Sequence, residues 1–238
     1  MLSLDKQERF RQRYRQIAPG WQPALEVYTG ALDSLVTADL ALLDIGCGPG
    51  GLVRKYEGRA CCVIGVDEHA ASFRHLAEIA ALVSARLDAL PFPNAAFDLV
   101  TCSWVMEHIA QPDSAVAEIA RVLRPGGHFL FITPNKHNYV VLLRRLVPNA
   151  LSRLLVSAIY KREEHFINPT YYRLNARSDI DRVMNRHGMM SVSFRYVSDP
   201  TYLAFNALAF RAAAALERLL DRFGPQMRVH LVGLYRKE

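Results

Sequence analysis

Short apolar runs alternate with longer amphipathic stretches along the chain, an alternation typical of a parallel sheet whose strands are connected by helices. Seven segments are predicted to form β-strands, namely residues 40–45, 61–66, 86–90, 97–103, 128–133, 191–197 and 228–236. Helical spacing predicts α-helices between them, namely residues 26–36, 52–56, 69–81, 115–123, 138–147, 149–160, 178–187 and 202–223. The pattern therefore predicts a doubly wound α/β fold.

A glycine-rich turn follows the first predicted strand. Gly46, Gly48, Gly50 and Gly51 come directly after the apolar run that contains Asp44. Glycine tolerates positive φ and lets the backbone lie against a ligand, and the helix that follows offers unpaired N–H groups. This arrangement predicts a nucleotide-binding corner. Gly46-x-Gly48-x-x-Gly51 also fits the dinucleotide fingerprint, so an NAD-dependent oxidoreductase is one alternative.

Two acids follow the second predicted apolar run. Asp67 lies 17 residues beyond Gly50, and Glu68 comes next. This is close to the spacing at which a carboxylate accepts hydrogen bonds from both hydroxyls of a ribose. The alternative is a solvated acid at the end of a strand. The glycine turn next to it favours the ribose-binding role for Asp67.

Four short motifs occur in a fixed order between residues 40 and 135. They are Asp44-x-Gly46-x-Gly48-x-Gly50, Phe97-Asp98-Leu99-Val100, Met106-Glu107-His108-Ile109 and Arg121-Val122-Leu123-Arg124-Pro125-Gly126-Gly127. Together they closely resemble the methyltransferase type 11 group within the class I S-adenosylmethionine (SAM) dependent methyltransferases, including bacterial enzymes associated with glycan or secondary-metabolite assembly. The resemblance implies a Rossmann-like fold: a seven-stranded, mostly parallel sheet with helices on both faces and a helical cap. Strand six would be parallel and strand seven antiparallel.

The resemblance also implies SAM as the cofactor and a set of cofactor-binding residues. In this family the glycine turn faces the methionine end of SAM, and an acid after strand three binds the adenine amine. The matching residues here are Asp44, Gly46, Cys47, Gly48, Gly50, Asp67, Glu68, Asp88, Ala89, Leu90, Ser103 and Trp104. Tyr14 and Trp21 are added because a similar N-terminal segment folds over the cofactor pocket in some relatives. Packing of these two aromatic rings against helices is the alternative.

His108 is the candidate catalytic residue. An imidazole can act as a general base near neutral pH, and the motif that contains His108 follows the fourth predicted strand. A base is needed only if the acceptor atom starts protonated. Since a Glu-His pair recurs in relatives with unrelated substrates, a structural or cofactor-side role for His108 is the alternative.

The chain is predicted to form a single methyltransferase domain over residues 1–238. Residues 1–36 are expected to form an N-terminal helical lid, and residues 136–187 and 200–224 are expected to be cap insertions over the crevice. The whole net charge of +6 lies in residues 136–187, which hold ten Lys or Arg and four Asp or Glu. This asymmetry indicates an anionic acceptor or an anionic membrane surface, with a solvated basic helix face as the alternative.

Composition narrows the cellular setting. No apolar run reaches a membrane-spanning length, and no signal-peptide segment is evident at the N-terminus. The four cysteines show neither zinc nor disulfide spacing, so no metal site is predicted. We therefore expect a cytoplasmic protein, with peripheral contact at the inner face of the membrane left open.

The acceptor is expected to be a small molecule, a glycan or a lipid-linked compound that is methylated at oxygen, with nitrogen and carbon left open. The pI of about 9.3 raises the alternative of an RNA methyltransferase. A nucleic-acid partner is nevertheless not expected, because Ser103-Trp104 stands where many base-methylating enzymes have an Asn/Asp-Pro-Pro-aromatic run. A SAM-binding protein without turnover is a further alternative, and the oligomeric state is not predicted.

Overall fold

The computed structural model of the chain describes residues 4–48, 55–68, 82–141 and 169–238, and its centre is a seven-stranded sheet. The strands are β1 (Ala41–Ile45), β2 (Cys62–Asp67), β3 (Leu82–Ser84), β4 (Phe97–Ser103), β5 (Leu123–Pro134), β6 (Met189–Val197) and β7 (His230–Lys237). They lie side by side in the order β3-β2-β1-β4-β5-β7-β6. This arrangement confirms the predicted fold class.

Helices cover both faces of the sheet. The described α-helices are α1 (Leu4–Ile17), α2 (Ala24–Leu35), α3 (Pro112–Val122), α4 (Arg177–Arg186) and α5 (Ala207–Phe223). In the described ranges, three short 3-10 helices join them to the strands, at Met106–His108, Pro200–Leu203 and Pro225–Met227. Within the described part of the chain, every helix is too short or too polar to span a bilayer.

The central strands β1, β4 and β5 are apolar on both sides because both of their faces are buried. Leu43, Val100 and Phe131 belong to one core cluster, which also contains side chains of α3 and α4. Leu42 and Leu99, their neighbours in the chain, belong to a second cluster that includes α2. A strand buried on both faces needs a continuous apolar run rather than an alternating pattern, which is why the central strands could be predicted from the sequence.

Strand direction determines where a functional site can form. Strands β1 to β5 are parallel, and β7 pairs antiparallel with both β5 and β6, as the resemblance implies. The carboxyl ends of β1 to β6 therefore share one edge, where ligands of doubly wound sheets bind. His230, the first residue of β7, lies at the same edge opposite Pro134 and Val197.

The predicted boundaries of strands three and five are wrong. The third strand was expected at residues 86–90 but lies at Leu82–Ser84, because residues 65–67 of β2 pair with it there. Residues 86–90 form a loop in which polar groups find side-chain partners instead, such as the N–H of Leu90 with Glu118. Residues 123–127, expected as a turn before strand five, begin β5 through a register shift against β4.

The predicted helix over residues 202–223 is interrupted as well. A 3-10 helix ends at Leu203, and α5 begins at Ala207, where Asn206 accepts a hydrogen bond from the N–H of Ala209 at 2.8 Å and caps the helix. The predicted helices at residues 69–81 and 149–160 lie outside the described residues, and the one at 138–147 is described only as far as residue 141.

Candidate functional site

A cavity of about 530 Å³ opens at the carboxyl edge of the sheet, beside the ends of β1, β2 and β4. The predicted site residues that line it are Gly46, Asp67, Glu68, Asp88, Ser103, Trp104 and His108. Apolar side chains, including Val66, Leu87 and Ile109, complete its walls. The structure therefore brings together groups that are more than 60 positions apart in the sequence.

The structure requires glycine at position 46 of the glycine turn. Gly46 has φ +68°, and its N–H donates to the carbonyl of Val66 at 2.7 Å. A Cβ at this position would lie 2.1 Å from Cγ2 of Val105, so a larger residue would both clash and adopt a strained backbone. Gly48 also has positive φ, at +50°. Gly50 lies outside the described residues.

Three carboxylates line one part of the cavity. Asp67 accepts a hydrogen bond from the N–H of Gly48 at 3.0 Å, which links the end of β2 to the glycine turn. Arg86 holds both oxygens of Asp88, at 2.9 and 2.7 Å, and lies 3.8 Å from Glu68. Its hydrogen bonds lower the pKa of Asp88, so that carboxyl is an acceptor at neutral pH. These oxygens can accept hydrogen bonds from the hydroxyls and amine of a bound nucleoside.

Five of the described residues between positions 44 and 90 that were predicted to bind the cofactor do not line the cavity, namely Asp44, Cys47, Gly48, Ala89 and Leu90. Asp44 is fully buried, where its Oδ1 accepts from the hydroxyl of Thr101 at 2.8 Å and links β1 to β4. Burial raises the pKa of Asp44 to about 7. Cys47 is also buried, and Ala89 and Leu90, which follow Asp88, do not line the cavity. Ala85 and Leu87 line the cavity instead, because strand three ends earlier than predicted.

Tyr14 and Trp21 lie apart from this cavity. Tyr14 is fully buried and meets the ring of Trp21 edge-on at 4.9 Å, in a cluster with Phe10 and Phe210. The indole N–H of Trp21 donates to the carbonyl of Ser198 at 3.0 Å. Both rings therefore join α1 to α5, and neither lines the cavity.

A hydrogen bond to the carbonyl oxygen of Pro169 holds His108 in one tautomer. Its Nδ1 lies 2.9 Å from the carbonyl oxygen of Pro169. A carbonyl only accepts hydrogen bonds, so Nδ1 carries the proton, and in the neutral ring Nε2 keeps its lone pair. The lone pair of Nε2 is therefore available to a proton donor, which is the state that a general base requires.

Residues 169–173 form a wall beside His108. The carbonyl of Glu107 accepts from the N–H groups of Tyr171 and Tyr172, and Arg173 donates to the carbonyl of Ala110 at 2.6 Å. The side chain of Glu107 is buried, which raises its pKa, and it accepts from the hydroxyl of Thr133. These bonds attach the returning chain to the segment after β4, so Tyr171 reaches the cavity although it is 67 residues from Trp104.

His230 contacts the ring of Trp104 and was not identified from the sequence. Trp104 has φ +58°, unusual for a bulky residue, and its ring meets His230 edge-on at 5.0 Å. His230 is buried, which lowers its pKa to about 4, and its Nε2 lies 3.1 Å from the hydroxyl of Tyr202. The only available signal was a histidine that begins an alternating strand at the carboxyl edge.

The charge of the predicted basic cap is partly neutralised. In the described part of residues 136–187, four of the basic side chains are ion-paired with aspartates: Lys136 and Arg182 with Asp179, Arg177 with Asp181, and Arg186 with Asp113. Arg173 is instead stacked over the ring of Tyr171. The remaining basic residues of this segment lie outside the described residues.

Comparison with known proteins places this arrangement in a family. Residues 43–131 match the type 11 family described as "Methyltransferase domain". The chain is 31% identical over 178 residues to a ubiquinone biosynthesis O-methyltransferase of Thiobacillus denitrificans, an alignment that covers 60% of this chain and 76% of that protein. It is 33% identical over 128 residues to a malonyl-[acyl-carrier protein] O-methyltransferase of Enterobacter lignolyticus, which covers 50% of this chain and 51% of that protein.

A third relative, the ubiquinone biosynthesis O-methyltransferase of Alkalilimnicola ehrlichii, is 32% identical over 54% of this chain and 55% of its own length. The chain thus spans about half the length of two of these relatives. Among solved structures, a SAM-dependent methyltransferase from Mesorhizobium loti matches 87% of this chain and 96% of its own, with a TM-score of 0.58 and 19% identity. Geranyl diphosphate C-methyltransferase from Streptomyces coelicolor, in complex with S-adenosyl-L-homocysteine, matches 89% and 79%, with a TM-score of 0.56 and 17% identity.

Proposed function

This chain belongs to the type 11 group of the class I SAM-dependent methyltransferases and uses SAM as its cofactor, and from this premise we propose that it methylates a hydroxyl oxygen of a small-molecule or lipid-linked acceptor. Membership in this family sets aside the NAD-dependent oxidoreductase. Two observations support oxygen as the methylated atom: the named relatives above include O-methyltransferases, and the cavity contains a candidate base.

The cavity volume of about 530 Å³ lies within the range of about 300–1,000 Å³ for small-molecule sites, and the lining suits the polar groups of SAM. We assign Asp67 and Glu68 to the ribose hydroxyls and Asp88 to the adenine amine, because carboxylates at these strand ends accept such hydrogen bonds. Gly46 and Gly48 leave room for the methionine end, where a Cβ at Gly46 would meet Val105. SAM, when bound, supplies an electrophilic methyl group.

The single observation that supports the reaction is the 2.9 Å distance between Nδ1 of His108 and the carbonyl oxygen of Pro169, from which the tautomer follows. We assign Nε2 of His108 as the atom that takes the proton from the acceptor hydroxyl, because Nδ1 is occupied by the carbonyl of Pro169. The same hydrogen bond orients the ring. Trp104, Tyr171 and the 169–173 wall help to exclude water and align the acceptor, which is most of what methyl transfer requires of the protein.

The test is the kinetics of His108→Ala and His108→Gln. Loss of the base should lower kcat by ~10²–10⁴-fold while SAM affinity, measured by calorimetry, stays within about twofold. Imidazole added to the buffer should restore part of the activity of His108→Ala but not raise that of the native enzyme. A collapse of SAM binding would instead assign His108 to the cofactor side.

The acceptor class is tested with compounds that differ in one functional group. Phenols, carboxylic acids and amines, each with and without an alkyl tail, are offered with SAM, and methylated products are identified by mass spectrometry. Methylation of hydroxyl compounds alone would support the proposal, and preference for the tailed form would support a lipid-linked acceptor. Methylation of the amines alone would overturn oxygen as the methylated atom.

A further inference from the structure

Helix α5 has apolar side chains on the side that faces solvent as well as on the side that faces the protein. Phe210, Ala213 and Leu220 are buried against the rest of the chain. The outer face of α5, as we call the opposite side, consists of Leu208, Ala212, Ala215, Leu219 and Phe223, all exposed. Leu208 is 76% exposed, Phe223 72% and Leu219 54%. An apolar stripe along the whole length of the exposed side of a helix indicates a surface that is covered by a partner.

The arginines of α5 lie along one edge of this stripe. Arg211, Arg218 and Arg222 are all exposed. At about 100° per residue they fall within about 40° of one another, next to Leu208 and Ala215. No carboxylate in the described part of the chain pairs with any of the three, since the one exposed acid of the helix, Asp221, pairs with Arg228. The outer face is therefore apolar with an uncompensated positive edge.

Charge decides which partner fits this face. Residues 142–168 of the same chain hold five Lys or Arg and two Glu, so their net positive charge would be repelled by the arginine edge. A second copy packed about a two-fold axis with α5 antiparallel would bring the two arginine rows together on one side of the interface. An anionic lipid surface satisfies both features, because acyl chains accept the apolar side chains and phosphate head groups accept the arginines.

The N-terminal end of α5 is connected to the cavity wall by a short series of contacts. The chain enters α5 from the 3-10 helix Pro200–Leu203 through the exposed Phe205. Tyr202 of that helix contacts His230, whose ring lies against Trp104 in the cavity wall. A protein lying on this face would thus hold its catalytic cavity next to the lipid head groups.

We propose that α5 lies flat in the head-group region of an anionic bilayer, with its outer face in the lipid and its arginines on the phosphates. This deepens the proposed function in one respect, since it explains how a lipid-linked acceptor would reach the cavity. The membrane contact itself does not depend on the methylated atom.

The experiment measures co-sedimentation of the full chain with vesicles of phosphatidylcholine alone and vesicles that also contain phosphatidylglycerol. The native protein should bind the anionic vesicles and release them at high salt. The outer-face variant combines three substitutions, Leu208→Gln, Leu219→Gln and Phe223→Ser. It should lower the bound fraction about tenfold or more. Arg218→Gln alone should lower the partition coefficient about fivefold.

Leu25→Gln is the matched control, because Leu25 is 53% exposed on α2 and Leu219 is 54% exposed on α5. It should bind vesicles as the native protein does. All variants should melt near the native temperature and methylate a soluble acceptor at the native rate. Failure of His108→Ala to lose activity would leave these vesicle results unchanged, so the two proposals fail separately.

Equal sedimentation of the native protein and the outer-face variant would overturn the proposal. So would binding to neutral vesicles alone. A native dimer that the outer-face substitutions convert to a monomer, with no vesicle binding, would assign the face to a second copy instead.

Discussion

The two halves of the carboxyl edge are built from contacts of different range. At the ends of β1 to β3, Asp67 is bonded to Gly48 and Asp88 to Arg86, all within 20 positions in the sequence of their partners. At the ends of β5 to β7, Tyr139 donates to Glu217, 78 residues away, at 2.8 Å. The first half contains the assigned SAM contacts, and the second lies on the side where we place the acceptor. Local motifs thus specify the ligand common to a family, and long-range contacts shape the surroundings particular to one member.

The largest effect is expected from substituting Gly46, the most closely packed position at the ends of β1 to β3. Gly46→Ala should cost about 2–5 kcal/mol of stability, the sum of a strained left-handed backbone and overpacking against Val105. SAM binding should be lost with it. The measurement is denaturant unfolding together with calorimetry. Gly188→Ala is the control, because Gly188 has φ +67° but open space around its Cβ position; a similar loss in both would mean that the contact with Val105 is unimportant.

The next effect tests the ribose contact. Asp67→Ala should weaken SAM binding by about 1.5–3 kcal/mol, as expected for a lost charge-assisted hydrogen bond. Calorimetry gives the affinity, and thermal melting shows that the variant is folded. Asp39→Ala removes an exposed acid outside the cavity and should change nothing. Unchanged affinity in a folded Asp67→Ala variant would remove the assignment.

The pH dependence of stability tests Glu217, a buried acid in the half formed by the ends of β5 to β7. Glu217 is fully buried, accepts from Tyr139 and the N–H of Asp199, and has its pKa raised by burial to about 7. An unfolded Glu has a pKa of about 4.3, so the folded state retains a proton that the unfolded state releases, and stability falls as pH rises from about 4.3 to about 7.

Glu217→Gln removes this titration while preserving the shape of the side chain. Its loss of stability over that pH range should be smaller than that of the native protein by about 2 kcal/mol. Denaturant melts at about pH 4.5 and about pH 7.5 give the difference. Asp44 titrates in the same range, so part of the dependence should remain. An identical pH dependence in both proteins would contradict the raised pKa of Glu217.

The smallest effect concerns the polar pair behind Trp104. Tyr202→Phe removes the hydrogen bond to His230 and should cost about 0.5–1.5 kcal/mol of stability. If the comparison between the halves holds, the KM for the acceptor should rise while SAM affinity stays the same. A change in SAM affinity with an unchanged acceptor KM would mean that the two halves are not independent.

The sequence predicted well where one local pattern determined the structure. The apolar run at residues 97–103 is β4 with the expected bounds, and Gly46 of the glycine turn lines the cavity. The sequence-based prediction of β3 was wrong, because the bounds of that strand are determined by its pairing with β2 and not by its own sequence pattern. Asp44 shows the same limit within a motif, since its burial against Thr101 depends on β4.

Residues brought in by long-range contacts could not be predicted. Tyr171 reaches the cavity through hydrogen bonds to the carbonyl of Glu107, and nothing near Tyr171 in the sequence indicates them. His230 is placed by the antiparallel insertion of β7, where it meets Trp104. Tyr14 and Trp21 show the converse: their motif resembled a lid, but the rings pack between α1 and α5.

The position of β7 between β5 and β6 also sets an order of events during translation. Until β7 has been made, β5 and β6 each have an open edge where β7 will later pair. At about 5–20 residues per second, synthesis of residues 198–237 leaves these edges open for roughly two to eight seconds. The nascent chain therefore passes through an aggregation-prone stage in which the facing edges of β5 and β6 are unpaired, and this stage ends when β7 inserts between them.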